Sequence, residues 1–170
     1  MDQTTFKFED DGLRRFIKSF ESDHVVRIGI FGGSHKEAEK NKSGKGRKAG
    51  AKSSGMTNAE VGFLCEVGRP KMEERKAVPP RSWLRVPLLN HINDIVNDSK
   101  SAFEKQVNNG DSIKFLTQIG INAEKYIQFA FRDSGPGWPA NAPSTIAGKG
   151  SASPNIDTGQ LRRAVASMVV

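Results

Sequence analysis

From Ser112 to Arg132, Leu116, Ile119, Ala123, Ile127 and Ala130 recur at three- and four-residue spacings. That is the period of one face of a helix. Residues 87 to 108 repeat the pattern with Leu88, Ile92, Ile95, Val96, Phe103 and Val107. The intervening Asn108-Asn109-Gly110-Asp111 is a turn signal. Two long amphipathic helices across a tight turn form an antiparallel hairpin, and their apolar stripes need a surface to cover.

The candidates for that surface are few. Residues 24 to 31, HVVRIGIF, are β-branched and read as a strand, and Ala164 to Val170 can close the chain as another. Leu13, Phe16, Ile17 and Phe20 mark a short helix over 10–20, with Asp10 and Asp11 suiting its start. Thr57 followed by Glu60 is a capping box opening a helix that carries Val61, Leu64 and Cys65 on one face and stops at Gly68. Residues 69 to 78 are charged and read as loop. The prolines in VPPRSWLRVPLL favour an extended chain, and Pro87 suits the first turn of the helix that follows. Asp157 or Thr158 can cap a last short turn. The fold class is α+β: a small mixed or antiparallel sheet packed by a long antiparallel helical hairpin, in a single domain over 1–170.

Two stretches have no place in such a core. Residues 32 to 55 hold no aliphatic residue larger than Ala and no aromatic one, so 34–55 reads as a long mobile basic loop. It concentrates the charge. Lys36, Lys40, Lys42, Lys45, Arg47, Lys48 and Lys52 stand against Glu37 and Glu39, a net +5 of the chain's +7. Residues 134 to 157 are rich in Pro, Gly and Ser and read as a second long loop. Hydrophobic content is 36%, low for a compact globule, which suits a small core with long polar segments or a subunit of an assembly.

Strand followed by a Gly-rich basic stretch is how many phosphate sites begin. Here neither Gly44-Lys45-Gly46 nor Gly148-Lys149-Gly150 fits the GxxxxGK[ST] pattern, and Gly29, Gly32 and Gly33 miss the dinucleotide spacing. What remains is a solvated loop, or one that contacts phosphate backbones or an acidic protein through its cations. It lacks aromatics for stacking on single-stranded bases, so duplex DNA is the better nucleic-acid partner.

His24, His35 and His91 are scattered and form no ligand motif. Cys65, the sole cysteine, excludes an intrachain disulfide framework and a cysteine zinc site, and its place on an apolar face suits an inert thiol. No nucleophile–base pair or metal-ligand spacing is visible, so enzymatic activity is not expected and no cofactor or metal is called for. A hydrolase with dispersed catalytic residues ranks last. The acidic, polar start MDQTTFKFEDDG is not a signal peptide, and no apolar run approaches the ~18 residues of a membrane span. A soluble protein made in cytoplasm is expected. Trp83 and Trp138, both near prolines, anchor loops to the core or line a subunit interface.

Several segments, in this order, resemble the tail-completion, or head–tail joining (neck), proteins of tailed bacteriophages, also known as virion morphogenesis or minor tail components. They are MTNAEVGFLCEVG, VPPRSWLRVPL, the helical hairpin, GWPANAPSTIAGKG and NIDTGQLRRAV. Ala59-Glu60-Val61 to Glu66-Val67-Gly68, Pro80-Arg81-Ser82-Trp83-Leu84 and Asp157-Thr158-Gly159-x-Leu161-Arg162 carry the likeness. It covers about two thirds of the chain from Thr57 onward and leaves the basic loop unexplained. The resemblance implies a non-enzymatic virion subunit that forms a ring, most commonly a hexamer, at the head-proximal end of the tail. Its partners would be tail-terminator or tail-tube proteins, head-completion or connector proteins, and double-stranded DNA in the lumen. Arg81, Trp83, Arg85, Trp138, Thr158, Leu161 and Arg162 are then the assembly candidates. Tail terminator, head-side connector and a non-sequence-specific DNA-binding module using the basic loop are the alternatives.

Overall fold

In the computed structural model, residues 10–20, 23–40, 47–73, 77–132, 135, 137–150 and 152–170 are described, with backbone only at 10, 35–40 and 47–54. The β-branched run folds as β1 (Val26–Ile30), and it pairs antiparallel with the closing strand β4 (Val165–Val169) in the register Val26↔Val169 through Ile30↔Val165. Reciprocal bonds between Val25 and Val170, at 2.9 and 3.0 Å, extend that ladder by one pair. The fold class is α+β. Among the described residues there are two separate two-stranded antiparallel sheets.

Helix α6 (Ser112–Arg132) lies across the β1–β4 pair. Its close approach depends on Gly120. A Cβ there would sit 2.5 Å from Ser167 Oγ on β4 and 3.3 Å from Val26 Cγ1 on β1. Beyond it, Ile127 and Phe131 of α6 join Trp83, Leu161 and Val165 in the main core, with Ile28, Ile30, Leu84, Leu88 and Ile156 packed around them. α1 (Asp10–Ser19) adds a second cluster at the other end of α6. There the Phe16 ring meets Phe20, Phe103 and Phe115 at 4.9, 5.6 and 6.0 Å between centroids. Ser112 at the start of α6 bonds to Ser19 through both its amide and its hydroxyl, closing α1 onto α6.

The first arm of the helical hairpin is not continuous. It runs as α3 (Arg85–Asn90), α4 (Ile92–Asp98) and α5 (Lys100–Asn109), with breaks at His91 and Ser99. Ser99 causes the second break. Its hydroxyl donates to the Ile95 carbonyl at 2.7 Å, a back-bond that bends helices, and accepts from Asn122 Nδ2 of α6 at 2.9 Å. At the first break the His91 ring stacks on Tyr126 of α6 at 4.7 Å. Across both breaks, α3, α4 and α5 each stay packed against α6. Gly110, with φ of 68°, then turns the chain into α6.

The expected helix near Thr57 is α2 (Asn58–Val67), with its capping box intact. Thr57 Oγ1 accepts from the Glu60 amide at 3.1 Å, and Glu60 Oε2 accepts from the Thr57 amide at 2.7 Å. Those bonds hold the Glu60 carboxyl below the usual carboxylate range, the Thr57 amide contributing most. Gly68, at φ of 75°, ends the helix.

Three expectations are corrected. The basic segment is not a loop throughout: β2 (Ser34–Lys40) and β3 (Arg47–Thr57) pair antiparallel from Ser34↔Thr57 to Lys40↔Arg47. A ladder is made by backbone groups, so a stretch without core residues can still form one. Two register shifts absorb the greater length of β3, and the Asn58 amide donates to the Gly33 carbonyl at 2.9 Å at the ribbon's base. The second long loop contains a helix, α7 (Pro143–Lys149), which starts on Pro143 and ends against Gly150 at φ of 72°. Finally, neither Asp157 nor Thr158 caps α8 (Gln160–Arg163). Gly159 occupies that position with no side-chain cap bond.

No helix among the described residues is long and apolar enough to cross a membrane. Replacing Gly120 sets two effects against each other. Ala improves helix propensity by up to about 1 kcal/mol, but the clash with Ser167 costs about 1–3 kcal/mol. Gly120→Ala is therefore expected to lower stability in urea unfolding, and adding Ser167→Gly to recover it. A Gly120→Ala protein more stable than the parent would show that α6 does not depend on this approach.

Candidate functional site

Glu66 stands near the end of α2, where its carboxylate faces the segment Ser82–Arg85. Oε2 accepts from the Trp83 and Leu84 amides at 2.8 and 2.9 Å. Oε1 accepts from the Arg85 amide at 3.2 Å and the Ser82 hydroxyl at 2.5 Å. The Ser82 hydroxyl in turn accepts from the Val86 amide at 3.0 Å. α3 has no side-chain cap of its own, so a carboxylate from another helix satisfies its first amides. The Trp83 indole swings inward, donates to the Gly62 carbonyl at 2.7 Å and packs on Phe131.

Arg81 fastens the next segment to this clamp. Its Nε donates to the Pro139 carbonyl at 2.8 Å, its Nη2 to Ala140 at 3.1 Å, and its amide to Cys65 at 2.8 Å. Trp138 Nε1 donates to the Ser82 carbonyl at 3.0 Å while its ring meets Phe131 edge-on. Asn141, 8% exposed, donates to the carbonyls of Ala152 and Ser153, and Lys149 reaches Ser153 at 2.6 Å. Asn155, in the left-handed region at φ of 53°, donates to the Arg81 carbonyl at 3.1 Å. Thr158 is held by Gln160 through its hydroxyl and by Arg163 through its carbonyl.

These bonds gather four segments distant in sequence around a cavity of about 220 Å³. Val61 and Cys65 come from α2, Arg81 from the Pro-rich stretch, Asn141 and Lys149 from around α7, and the stretch from Asn155 to Leu161 closes it. Burial pushes the Cys65 thiol up, only partly offset by the Arg81 and Lys149 cations, so it stays protonated and unreactive at neutral pH. No group of three or more His, Cys, Asp and Glu residues that could hold a metal occurs among the described residues.

The assembly candidates divide accordingly. Trp83 and Leu161, each 4% exposed, belong to the chain's own core and present no surface to a partner, which corrects their place among the interface residues. Arg81 and Trp138 serve as internal ties, Arg85 is exposed, and Thr158 and Arg162 are partly exposed. Of the basic-segment candidates, Lys42 and Lys45 lie outside the described residues, as do the side chains of Lys36, Lys40, Arg47, Lys48 and Lys52. The backbones of Lys36, Lys40, Arg47, Lys48 and Lys52 run in β2 and β3, and none of these residues lines the cavity.

Three features were not singled out from sequence: the Glu66 clamp, the Asn141 and Asn155 ties, and a basic concavity beside α8. In that concavity Lys125 Nζ pairs with Asp98 at 2.8 Å. With a bond from the Tyr126 hydroxyl, this pair holds the Asp98 carboxyl below the usual range.

Removing the Glu66 acceptor strands three amides and a hydroxyl. Glu66→Ala is expected to cost about 2–3 kcal/mol in denaturant unfolding, in the range of bonds to a charged acceptor. Glu66→Gln should recover only part of it, since its amide nitrogen would face donors. A loss below about 0.5 kcal/mol for Glu66→Ala would mean that water replaces the carboxylate at little cost. Comparisons with protein-family models, with curated proteins and with solved structures find no match to this chain.

Proposed function

We propose that the chain is a non-enzymatic structural subunit of a bacteriophage head–tail connection, a tail-completion or neck protein that works as a homo-oligomeric ring in the virion. The observation that carries this reading is the convergence of its family-like segments. α2, the PPRSWL stretch, the GWPANAPSTIAGKG segment and NIDTGQLRR meet around one cavity and are tied by side-chain bonds to backbone. Four weak motifs scattered over a fold would suggest chance. The same four locked into one unit suggest a common architecture.

Exposed apolar side chains supply the second support. Leu89 is 66% exposed and Phe63 64%, while Ile92, Val96, Ile113 and Ile121 are each about half exposed or more. Ile92 and Val96 line one apolar concavity with Phe103, Phe115 and Ile119, and exposed apolar surface of that kind favours subunit contacts. The partners on either face of the ring would be tail-tube or terminator proteins and head-completion proteins, with hexamer the leading stoichiometry.

The test is imaging combined with assembly. The purified chain, alone or with its neighbouring virion proteins, should form rings with a central hole. Phage lacking it should accumulate full heads and separate tails. Normal head–tail joining in its absence would exclude the proposal, whatever the state of the purified chain.

A further inference from the structure

The surface between α6 and α8 gathers positive charge from two elements far apart in sequence. Lys125, Gln128, Phe129 and Arg132 of α6 and Arg162 and Arg163 of α8 line a concavity of about 400 Å³. Among the described residues its lining holds four cations and no carboxylate. Asp98 touches only its edge, through the Lys125 pair. Two of the cations meet one ring: Arg132 lies over Phe129 at 4.6 Å to the centroid, and Lys125 approaches the same ring at 5.9 Å. Arg163 is steadied by its bond to the Thr158 carbonyl at 3.1 Å. Cationic groups converging on one hollow favour an anion placed among them.

We propose that this concavity binds phosphate groups and that their source is the backbone of duplex DNA. Guanidinium forks match phosphate oxygens in pairs, and three of the four cations are arginines. Gln128 adds a neutral donor beside them. The concavity is open to solvent rather than enclosed, so a backbone can pass over it. It is distinct from the basic β2–β3 segment, and it does not depend on ring formation, because the isolated chain already carries all six lining residues.

The experiment measures binding of a fluorescent 20-base-pair duplex of mixed sequence to the full chain by anisotropy, between about 50 and 200 mM salt. Arg162→Gln removes one cation, and Gln128→Glu places a carboxylate inside the concavity at an exposed position. Each is checked for an unchanged thermal melt. Arg162→Gln should weaken binding several-fold and lower the salt slope by about 1, as the loss of one phosphate contact requires. Gln128→Glu should weaken binding at least as much. Lys36→Gln/Lys52→Gln, in the basic ribbon, should leave the effect of Arg162→Gln in place. Pyrophosphate is the second probe. If it binds tightly, and Arg162→Gln abolishes that binding, the ligand is a free phosphate compound and the duplex assignment is overturned. Folded Arg162→Gln and Gln128→Glu proteins with parental duplex affinity and slope overturn the site itself.

Discussion

The Glu66 carboxylate organises the part of the chain that the rest is built around. It accepts from three consecutive amides and a hydroxyl of Ser82–Arg85, at the point where the extended Pro-rich stretch becomes helix. A helix start without an N-cap leaves unpaired donors, and burying them without partners would cost several kcal/mol. With those donors satisfied, Trp83 can turn into the core against Phe131, and Ser82 can offer its carbonyl to Trp138. Arg81, one residue earlier, is thereby aimed at Pro139 and Ala140. One charge on α2 thus fixes the Pro-rich stretch, and through it the Trp138–Asn155 segment.

α6 plays the complementary part. Its small residue Gly120 admits the β1–β4 pair, its Asn122 reaches into the kinked arm at Ser99, and its last turns supply Ile127 and Phe131 to the core. Buried Ser99 and Asn122 form a continuous hydrogen-bonded chain with part-buried Gln118, which specifies where α4 and α5 cross α6 rather than merely permitting contact. Apolar packing alone would allow a straight arm sliding along α6. The polar link selects one register.

What could be read from residues follows the range of the interactions involved. The capping box at Thr57 and Glu60 spans three residues, and it stands as the pattern indicates. The α6 stripe is likewise a property of one stretch. Glu66 is different: nothing near it announces that its partners lie 16 to 19 residues away. Ser99 inside an apolar stripe is a visible irregularity, but its effect comes from Asn122, 23 residues on. The α7 boundaries are marked by Pro143 and Gly150, yet Ile146 is the only large apolar residue between them, so periodicity is silent. The β2–β3 ribbon escapes a reading based on core residues because backbone ladders need none. The spacing of Lys125, Gln128, Phe129 and Arg132 on one face of α6 is legible, but the arginines that complete the concavity belong to α8.

The long segment after α6 reads from its sequence as a loop with no structure of its own. Instead it is tied by Arg81, Trp138, Asn141, Lys149 and Asn155, almost entirely through side chains bonding to backbone carbonyls. For the proposed ring, this difference alters the energetics of assembly. A segment that orders on binding loses about 1–2 kcal/mol of backbone entropy per residue at that moment. A segment ordered within the subunit has met that cost during folding, and contacts to a neighbour are then offset by less. The low hydrophobic content is consistent with this division of labour. A small core, centred on Trp83, Ile127 and Phe131, holds the subunit together, polar ties set the shape of its loops, and apolar side chains such as Leu89 and Phe63 stay outside, where another chain can cover them.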